Sequence, residues 1–170
     1  MRLLLTDKPL KIKFAENNEN KYIDLSNLKI SNCVGCFSCW TKTPGKCVIR
    51  DDATKVYPII AKSDNVLYVS KIKYGCYGSI MKTMLERAIP IQQAFIRLLN
   101  GEVHHVQRDV SMKKAVIIAY GDISKDEQEI FKRLVEHNAH NMNFKEFKII
   151  FTREENLEEV VSKEVIKWGE

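Results

Sequence analysis

The fold is decided by two uninterrupted apolar stretches, Val66-Leu67-Tyr68-Val69 and Ala115-Val116-Ile117-Ile118. Neither stretch alternates between apolar and polar residues, which is typical of parallel strands that are covered by helices on both faces of a sheet. Three further short apolar runs lie at Leu3–Thr6, Tyr22–Leu25 and Phe147–Phe151. The sequence therefore predicts five strands of one sheet.

Helical patterns lie between these runs. They comprise apolar stripes at Val56–Ile60 and Ile80–Ala88, and capping boxes at Ser124–Glu127 and Asn156–Glu159. A capping box marks the start of a helix, because the side chains of its two ends bond to the free backbone N–H groups there. Alternating strands and helices predict an α/β fold with a doubly wound, five-stranded parallel sheet. We expect residues 1–170 to form a single domain.

The composition is that of an ordinary globular protein. The chain has 170 residues, 45% of them apolar, and a net charge of +5. No stretch is long and apolar enough to predict a membrane span or a signal peptide, so we expect a cytoplasmic location without membrane attachment. The basic residues form no stripe interleaved with aromatic residues, so nucleic acid is not an expected partner.

Four cysteines form a tight block with the spacing C-x2-C-x2-C-x7-C, at Cys33, Cys36, Cys39 and Cys47. In a cytoplasmic chain such cysteines predict thiol chemistry or metal ligation rather than disulfides. Two consecutive x2 gaps suit a [4Fe–4S] cluster, whereas zinc usually takes two ligand pairs from separate segments. A reduced loop without metal is the alternative. The block follows the second predicted strand, so we expect it near the carboxyl edge of the sheet.

The cysteine block and a second block together resemble a known family. The first continues as Pro44-Gly45-Lys46-Cys47-Val48-Ile49-Arg50-Asp51-Asp52, and the second runs from Gly75 through Ser79 and Lys82 to Glu86-Arg87. This combination is similar to the NADPH-dependent FMN reductases, closest to the branch that contains the iron–sulfur flavoproteins. The resemblance implies a flavodoxin-like fold, FMN as cofactor and NAD(P)H or a protein as electron donor. It also implies a small-molecule or protein electron acceptor and a homodimer or homotetramer.

The N-terminus departs from the family pattern. Family members follow the first strand with a glycine- and serine-containing loop and a long helix, which together bind the FMN phosphate through backbone N–H groups. Here the loop reads Thr6-Asp7-Lys8-Pro9, and residues 10–21 show no helical period. We therefore expect the first crossover helix to be shortened or missing. Asp7 would repel a phosphate dianion, so in this loop only Thr6 and Lys8 could still contact the phosphate.

The resemblance also places the flavin contacts, while no catalytic residue is assigned. The contacts fall on Thr6, Ser70, Lys71, Ile72, Lys73, Tyr74, Gly75, Ala119, Tyr120, Gly121 and Asp122. Cys76 lies in the same region and is either a redox thiol or inert. The first functional hypothesis is an NAD(P)H-dependent FMN oxidoreductase or electron-transfer flavoprotein. The alternative is a degenerate, non-catalytic relative that acts as a partner subunit or as a cysteine-based redox sensor.

The histidines are expected to be ordinary polar residues. His104 and His105 lie in a segment with no clear period, which we interpret as a lid or a subunit contact. Paired histidines in such a segment are usually polar loop residues, so we do not expect them to bind a metal. His137 and His140 lie near the predicted end of a helix, where a cationic side chain suits the helix dipole.

Overall fold

The computed structural model describes residues 1–99 and 101–168, and a parallel sheet runs through its centre. In chain order the strands are β1 (Arg2–Thr6), β2 (Asn20–Asp24), β3 (Asn65–Lys73), β4 (Cys76–Tyr77), β5 (Gln92–Leu99), β6 (Glu102–Gln107), β7 (Lys113–Tyr120) and β8 (Phe144–Thr152). The helices are α1 (Ser38–Thr41), α2 (Ala53–Lys62), α3 (Ser79–Glu86), α4 (Lys125–Asn141) and α5 (Leu157–Ile166).

The five predicted strands pair in the order β2-β1-β3-β7-β8, and every pair is parallel. This is the flavodoxin-like order, in which the chain starts near the middle and winds first to one edge and then to the other. The predicted fold class is confirmed. The carboxyl ends of β1, β3 and β7 therefore lie side by side, and they define the edge at which this fold binds ligands.

Helices cover the two faces of the sheet unequally. Buried side chains of α2, α3 and α4, such as Ile60, Met84 and Phe131, belong to the larger apolar core on one face. On the other face, Leu157 and Val161 of α5 form a smaller core with the strands. The predicted stripes and helix positions thus become the two layers around the sheet.

An extended segment takes the place of the first crossover helix. None of residues 7–19, all of them described, is helical. Leu10, Ile12 and Phe14 alternate along this segment and pack against the smaller core. The Phe14 ring centroid lies 6.1 Å from that of Tyr22 and 6.3 Å from that of Trp168. Because an extended strap covers this face, no helix N-terminus lies at the carboxyl end of β1, and the expectation of a missing helix is confirmed.

The two predicted capping boxes differ in outcome. At α4 the Ser124 hydroxyl accepts a hydrogen bond from the Glu127 backbone N–H, and the Glu127 carboxylate accepts one from the Ser124 N–H. At α5 the Asn156 side chain makes no capping hydrogen bond, so that capping box does not form. A 3-10 turn at Glu154–Asn156 leads directly into α5 instead, and this turn supplies the helix start.

The antiparallel hairpin β5–β6 was not predicted from the sequence. It carries exposed apolar side chains, with Phe95 71%, Leu98 75% and Val103 66% exposed. Because these side chains face outward, the hairpin lacks the alternation of apolar and polar residues that identifies a half-buried strand. Within the described ranges, no helix has both the length and the apolar character that crossing a membrane requires.

Candidate functional site

The carboxyl ends of β1, β3 and β7 converge on one carboxylate, Asp7, which is only 7% exposed. Its Oδ2 accepts hydrogen bonds from the Lys71 backbone N–H at 2.7 Å and from the Ser70 hydroxyl at 3.0 Å. Its Oδ1 accepts from the Tyr120 hydroxyl at 2.8 Å. Burial raises the pKa of Asp7, while these hydrogen bonds oppose the rise. The Asp7 carboxyl group therefore already occupies the hydrogen-bond donors that a bound phosphate would need.

The remaining groups at this edge are also engaged within the protein. The Thr6 hydroxyl donates to the Lys8 carbonyl at 2.8 Å and accepts from the Lys8 N–H at 3.3 Å. Glu154 binds the Lys8 ammonium at 2.7 Å and the Lys71 ammonium at 3.4 Å. Both lysine ammonium groups thus pair with the same carboxylate. Residues at the phosphate end of the site do not fit an FMN phosphate.

The other predicted flavin residues divide into two groups. Lys71, Ile72, Gly121 and Asp122 line one open depression, together with the segment 153–155. Ala119 is fully buried in the core, so its side chain is not available to a ligand.

The turn between β3 and β4 holds the remaining predicted contacts. Tyr74 is 81% exposed, and the Lys73 ammonium lies 5.3 Å from the centre of its ring. Tyr74 and Gly75 both adopt positive φ, and a Cβ on Gly75 would approach Ile130 to 2.6 Å. Gly75 is therefore required by the turn. The turn follows Lys71 and Ile72 of the depression directly in the chain, and the Tyr74 side chain is exposed to solvent.

All four cysteines of the block line one small cavity. Cys39 is buried in α1, whereas Cys33 and Cys36 are exposed. The Pro44-Gly45 turn is confirmed as the element that returns Cys47 to the group, because the Gly45 N–H donates to the Cys39 carbonyl at 2.9 Å. The rest of the lining is largely apolar and consists of Val34, Gly35, Phe37, Val48, Ile49, Arg87 and Ile89.

A buried arginine, Arg87, holds both ends of the cysteine loop. It is 1% exposed and forms a bidentate pair with Asp51, at 2.6 and 2.9 Å. It also donates to the Ser31 carbonyl, which precedes the block, and to the Ile49 carbonyl, which follows it. A further contact reaches the Cys47 sulfur at 3.4 Å. In the sequence, Arg87 and Asp51 belong to the two family-like blocks and Asp51 is a candidate helix cap; their pairing across 36 residues is visible only in the structure.

The thiols of the block have different proton affinities. Hydrogen bonds from the backbone and side chain of Ser38 lower the pKa of Cys36. Burial raises the pKa of Cys39, and the nearby thiols of Cys47 and Cys33 add to the rise. Cys39 therefore gives up its proton less readily than Cys36. Four cysteines that line one largely apolar cavity are the ligand set of a [4Fe–4S] cluster, so the residues present fit that group.

A second and larger cavity of about 560 Å³ adjoins the cysteine block. It lies between α3 and α4, and Cys33 and Gly35 line both cavities. The Tyr68 hydroxyl is buried without a hydrogen-bond partner, and Tyr68 belongs to the lining of this cavity, as does Cys76. Sequence reasoning did not find this cavity, because its lining comes from distant segments whose apolar residues look like ordinary core.

The fold and the cysteine cavity define a flavodoxin-like domain with a four-thiol site. No family model matches the chain. Curated relatives are an iron–sulfur flavoprotein of Archaeoglobus fulgidus, 35% identical over 81 residues, and one of Methanocaldococcus jannaschii, 27% identical over 92 residues. These matches cover 46% and 54% of this chain, and 36% and 47% of the two relatives. The matched part thus spans less than half of each relative.

Two solved structures share the fold over almost the whole chain. An NAD(P)H:quinone oxidoreductase from Methanothermobacter marburgensis aligns with a TM-score of 0.61, covering 99% of this chain and 94% of its own at 12% identity. An FMN-dependent NADH-azoreductase from Bacillus anthracis aligns with a TM-score of 0.57, covering 98% and 96% at 12% identity. The chain is therefore a relative of the iron–sulfur flavoproteins with the fold of the flavodoxin-like NAD(P)H-dependent FMN reductases, as the sequence resemblance predicted.

Proposed function

We propose that this chain is an electron-transfer domain of the iron–sulfur flavoprotein kind and that its redox centre is a [4Fe–4S] cluster on Cys33, Cys36, Cys39 and Cys47. The observation that carries the proposal is the convergence of these four thiols on one cavity whose loop is anchored by buried Arg87. When bound, such a cluster transfers single electrons.

The residues around the thiols would position the cluster and influence its potential. Val34, Phe37 and Ile89 line the cavity with apolar surface, and Cys39 on its inner side is buried, whereas Cys33 and Cys36 are open to solvent. The Arg87 guanidinium lies beside the Cys47 sulfur and offsets part of the negative charge of four thiolates. A hydrogen bond to a ligand sulfur and low solvent access are two of the factors that set cluster potentials.

A flavin is the second proposed cofactor, and its two ends fit the chain differently. The depression beside Gly121 and the exposed face of Tyr74 offer a site for the ring. The phosphate end does not fit, because Asp7 occupies the available donors. We propose that a flavin is held through its ring alone, with NAD(P)H or a protein as donor.

The acceptor and the assembly are proposed from two further features. The cavity of about 560 Å³ beside Cys33 suits a small, largely apolar electron acceptor, for which the Tyr68 hydroxyl offers an unused hydrogen bond. A protein acceptor is the alternative. The outward apolar side chains Phe95, Leu98 and Val103 support a homodimer or homotetramer built on the hairpin. Five free cysteines support a reducing, cytoplasmic location.

The test is anaerobic purification followed by reconstitution with iron and sulfide. We expect four irons per chain and a broad visible absorption. Cys36→Ser should lower the iron content and bleach that absorption, whereas the matched control Cys76→Ser, which changes the one cysteine outside the block, should leave both unchanged. Failure of the wild-type chain to take up iron under these conditions would refute the cluster proposal.

A second function is favoured by the Asp7 arrangement. A relative that has closed its phosphate site with its own carboxylate is a candidate for a non-catalytic partner subunit or a cysteine-based redox sensor. The same experiment separates the two functions. If the chain stays colourless after incubation with excess FMN and after reconstitution with iron and sulfide, the second function is supported and the first is excluded.

A further inference from the structure

Three of the four histidines in the chain converge on one carboxylate far from the cysteine block in sequence. Glu102 and His104 lie on β6, while His137 and His140 lie one turn apart near the end of α4. The hairpin and the helix bring them together, so Glu102, which lies two residues before His104, is also within reach of His137 and His140. The expectation that these residues are ordinary polar side chains must therefore be re-examined.

The distances between these groups match the edges of a metal coordination sphere. Glu102 Oε2 lies 2.9 Å from His104 Nε2 and 3.3 Å from His140 Nδ1. All three ligand atoms lie within 4.8 Å of one another. For a tetrahedral zinc ion with bonds of about 2.0–2.2 Å, neighbouring ligand atoms are separated by roughly 3.3–3.5 Å. Small side-chain rotations would thus place all three atoms around one ion.

The orientation of His104 is set in advance. Its Nδ1 lies 3.2 Å from the Asn141 side-chain oxygen, and in the neutral tautomer that donates to this oxygen the Nε2 lone pair points at Glu102. A ligating histidine typically shows this arrangement, in which an outer partner binds one ring nitrogen and leaves the other for the metal. Without a cation or an added proton, two lone pairs would face each other at 2.9 Å.

The surroundings of the group are rigid. His104 is 7% exposed, and its ring lies edge-on to that of His140 with the centroids 4.8 Å apart. The side chains of Gln92 and Gln107, at the base of the hairpin, both donate to the Asn141 carbonyl, at 3.0 and 2.9 Å. These contacts, which do not depend on a metal, hold His104 and the base of the hairpin against α4.

We propose that Glu102, His104 and His140 bind one divalent transition-metal ion, of which zinc is the best match to two imidazole nitrogens and one carboxylate. Three protein ligands leave the fourth position to water. His137 lies outside the ligand set, with its Nδ1 3.4 Å from the other carboxylate oxygen of Glu102, and it orients that carboxylate. The ion fastens the β5–β6 hairpin to α4. This site is independent of the proposed cluster.

The test must distinguish this site from the cysteines, which also bind zinc. Nitrogen-15 NMR of the imidazole rings does so, because the chain has only four histidines. Zinc is added to the full chain at constant pH, beyond the amount that the thiols bind. We expect the ring signals of His104 and His140 to shift together at one additional equivalent, while the signals of His105 stay in place. Ring signals of His104 and His140 that stay in place as zinc is added beyond the thiol equivalents would overturn the proposal.

Two variants and a matched control measure the affinity. Glu102→Gln keeps the shape of the side chain, and His140→Gln changes a residue at the exposed side of the group. Each should weaken this zinc site by at least about tenfold, since outer-shell partners alone are worth about 10- to 100-fold. The control, His105→Gln, should leave the affinity unchanged. Equal zinc affinity in all four proteins, or ring shifts that follow pH but not zinc, would show a protonated histidine cluster instead of a metal site.

Discussion

Replacement of Arg87 by methionine is the sharpest test of how the cysteine loop is held. The methionine keeps an apolar stem in the buried space but removes the guanidinium, and with it two contacts to Asp51 and one each to the Ser31 and Ile49 carbonyls. We expect Arg87→Met to destabilise the chain and to loosen both ends of the loop. Cluster loading should fall for the same reason.

The magnitude follows from burial. Removing one partner of a buried ion pair costs about 3–5 kcal/mol, because the other charge stays behind without compensation. Arg87 is 1% exposed but its partner Asp51 is 13% exposed, so water recovers part of the loss and we expect about 3 kcal/mol. That is a large fraction of the roughly 5–15 kcal/mol by which domains are stable.

The assay is urea unfolding of the iron-free protein, with iron content after reconstitution as a second measurement. Lys82→Met is the matched control, because Lys82 lies on α3, the helix that ends at Arg87, and forms an exposed ion pair with Glu86. That pair is expected to contribute only about 0.3–0.5 kcal/mol. If Arg87→Met is no less stable than the control and binds iron as the wild type does, the role of Arg87 as the anchor of the loop is wrong.

Three further outcomes test other parts of the structure. In the iron-free protein, Cys36 should react with iodoacetamide at lower pH than Cys39, because hydrogen bonds from Ser38 lower the pKa of Cys36 and burial raises that of Cys39. Mass spectrometry of the peptides shows which cysteine is alkylated at each pH, and equal pH profiles for the two would contradict the prediction. Burial lowers the pKa of Lys113 from 10.5 to about 8. Between about pH 8 and pH 10.5 the unfolded chain keeps this proton and the folded chain does not, so the free energy of unfolding rises with pH. Urea unfolding should show this rise in the wild type and not in Lys113→Met. Finally, FMN should bind no more tightly than riboflavin in a fluorescence titration, because Asp7 closes the phosphate end; a preference for FMN of tenfold or more would show that a phosphate site exists.

Local sequence patterns were sufficient for the sheet. The strands β3 and β7 were found because both faces of the sheet are covered, which requires continuous apolar residues such as Val66–Val69. The missing first helix was also predictable, because residues 10–21 lack a helical period. The hairpin β5–β6 was not predicted because Phe95 and Leu98 face outward, so its sequence lacks the alternation of apolar and polar residues that a half-buried strand shows.

What the sequence determined by itself was therefore the order of strands and helices and the grouping of four cysteines in one loop. Both depend on neighbours in the chain. Only the tertiary structure decided which side chains from distant parts of the chain come into contact. It brought Asp7 onto donors from β3 and β7, paired Arg87 with Asp51 across the cysteine loop, and placed His140 beside Glu102. Each of these contacts joins residues 36 to 113 positions apart, and no local period or spacing records a partner at that separation.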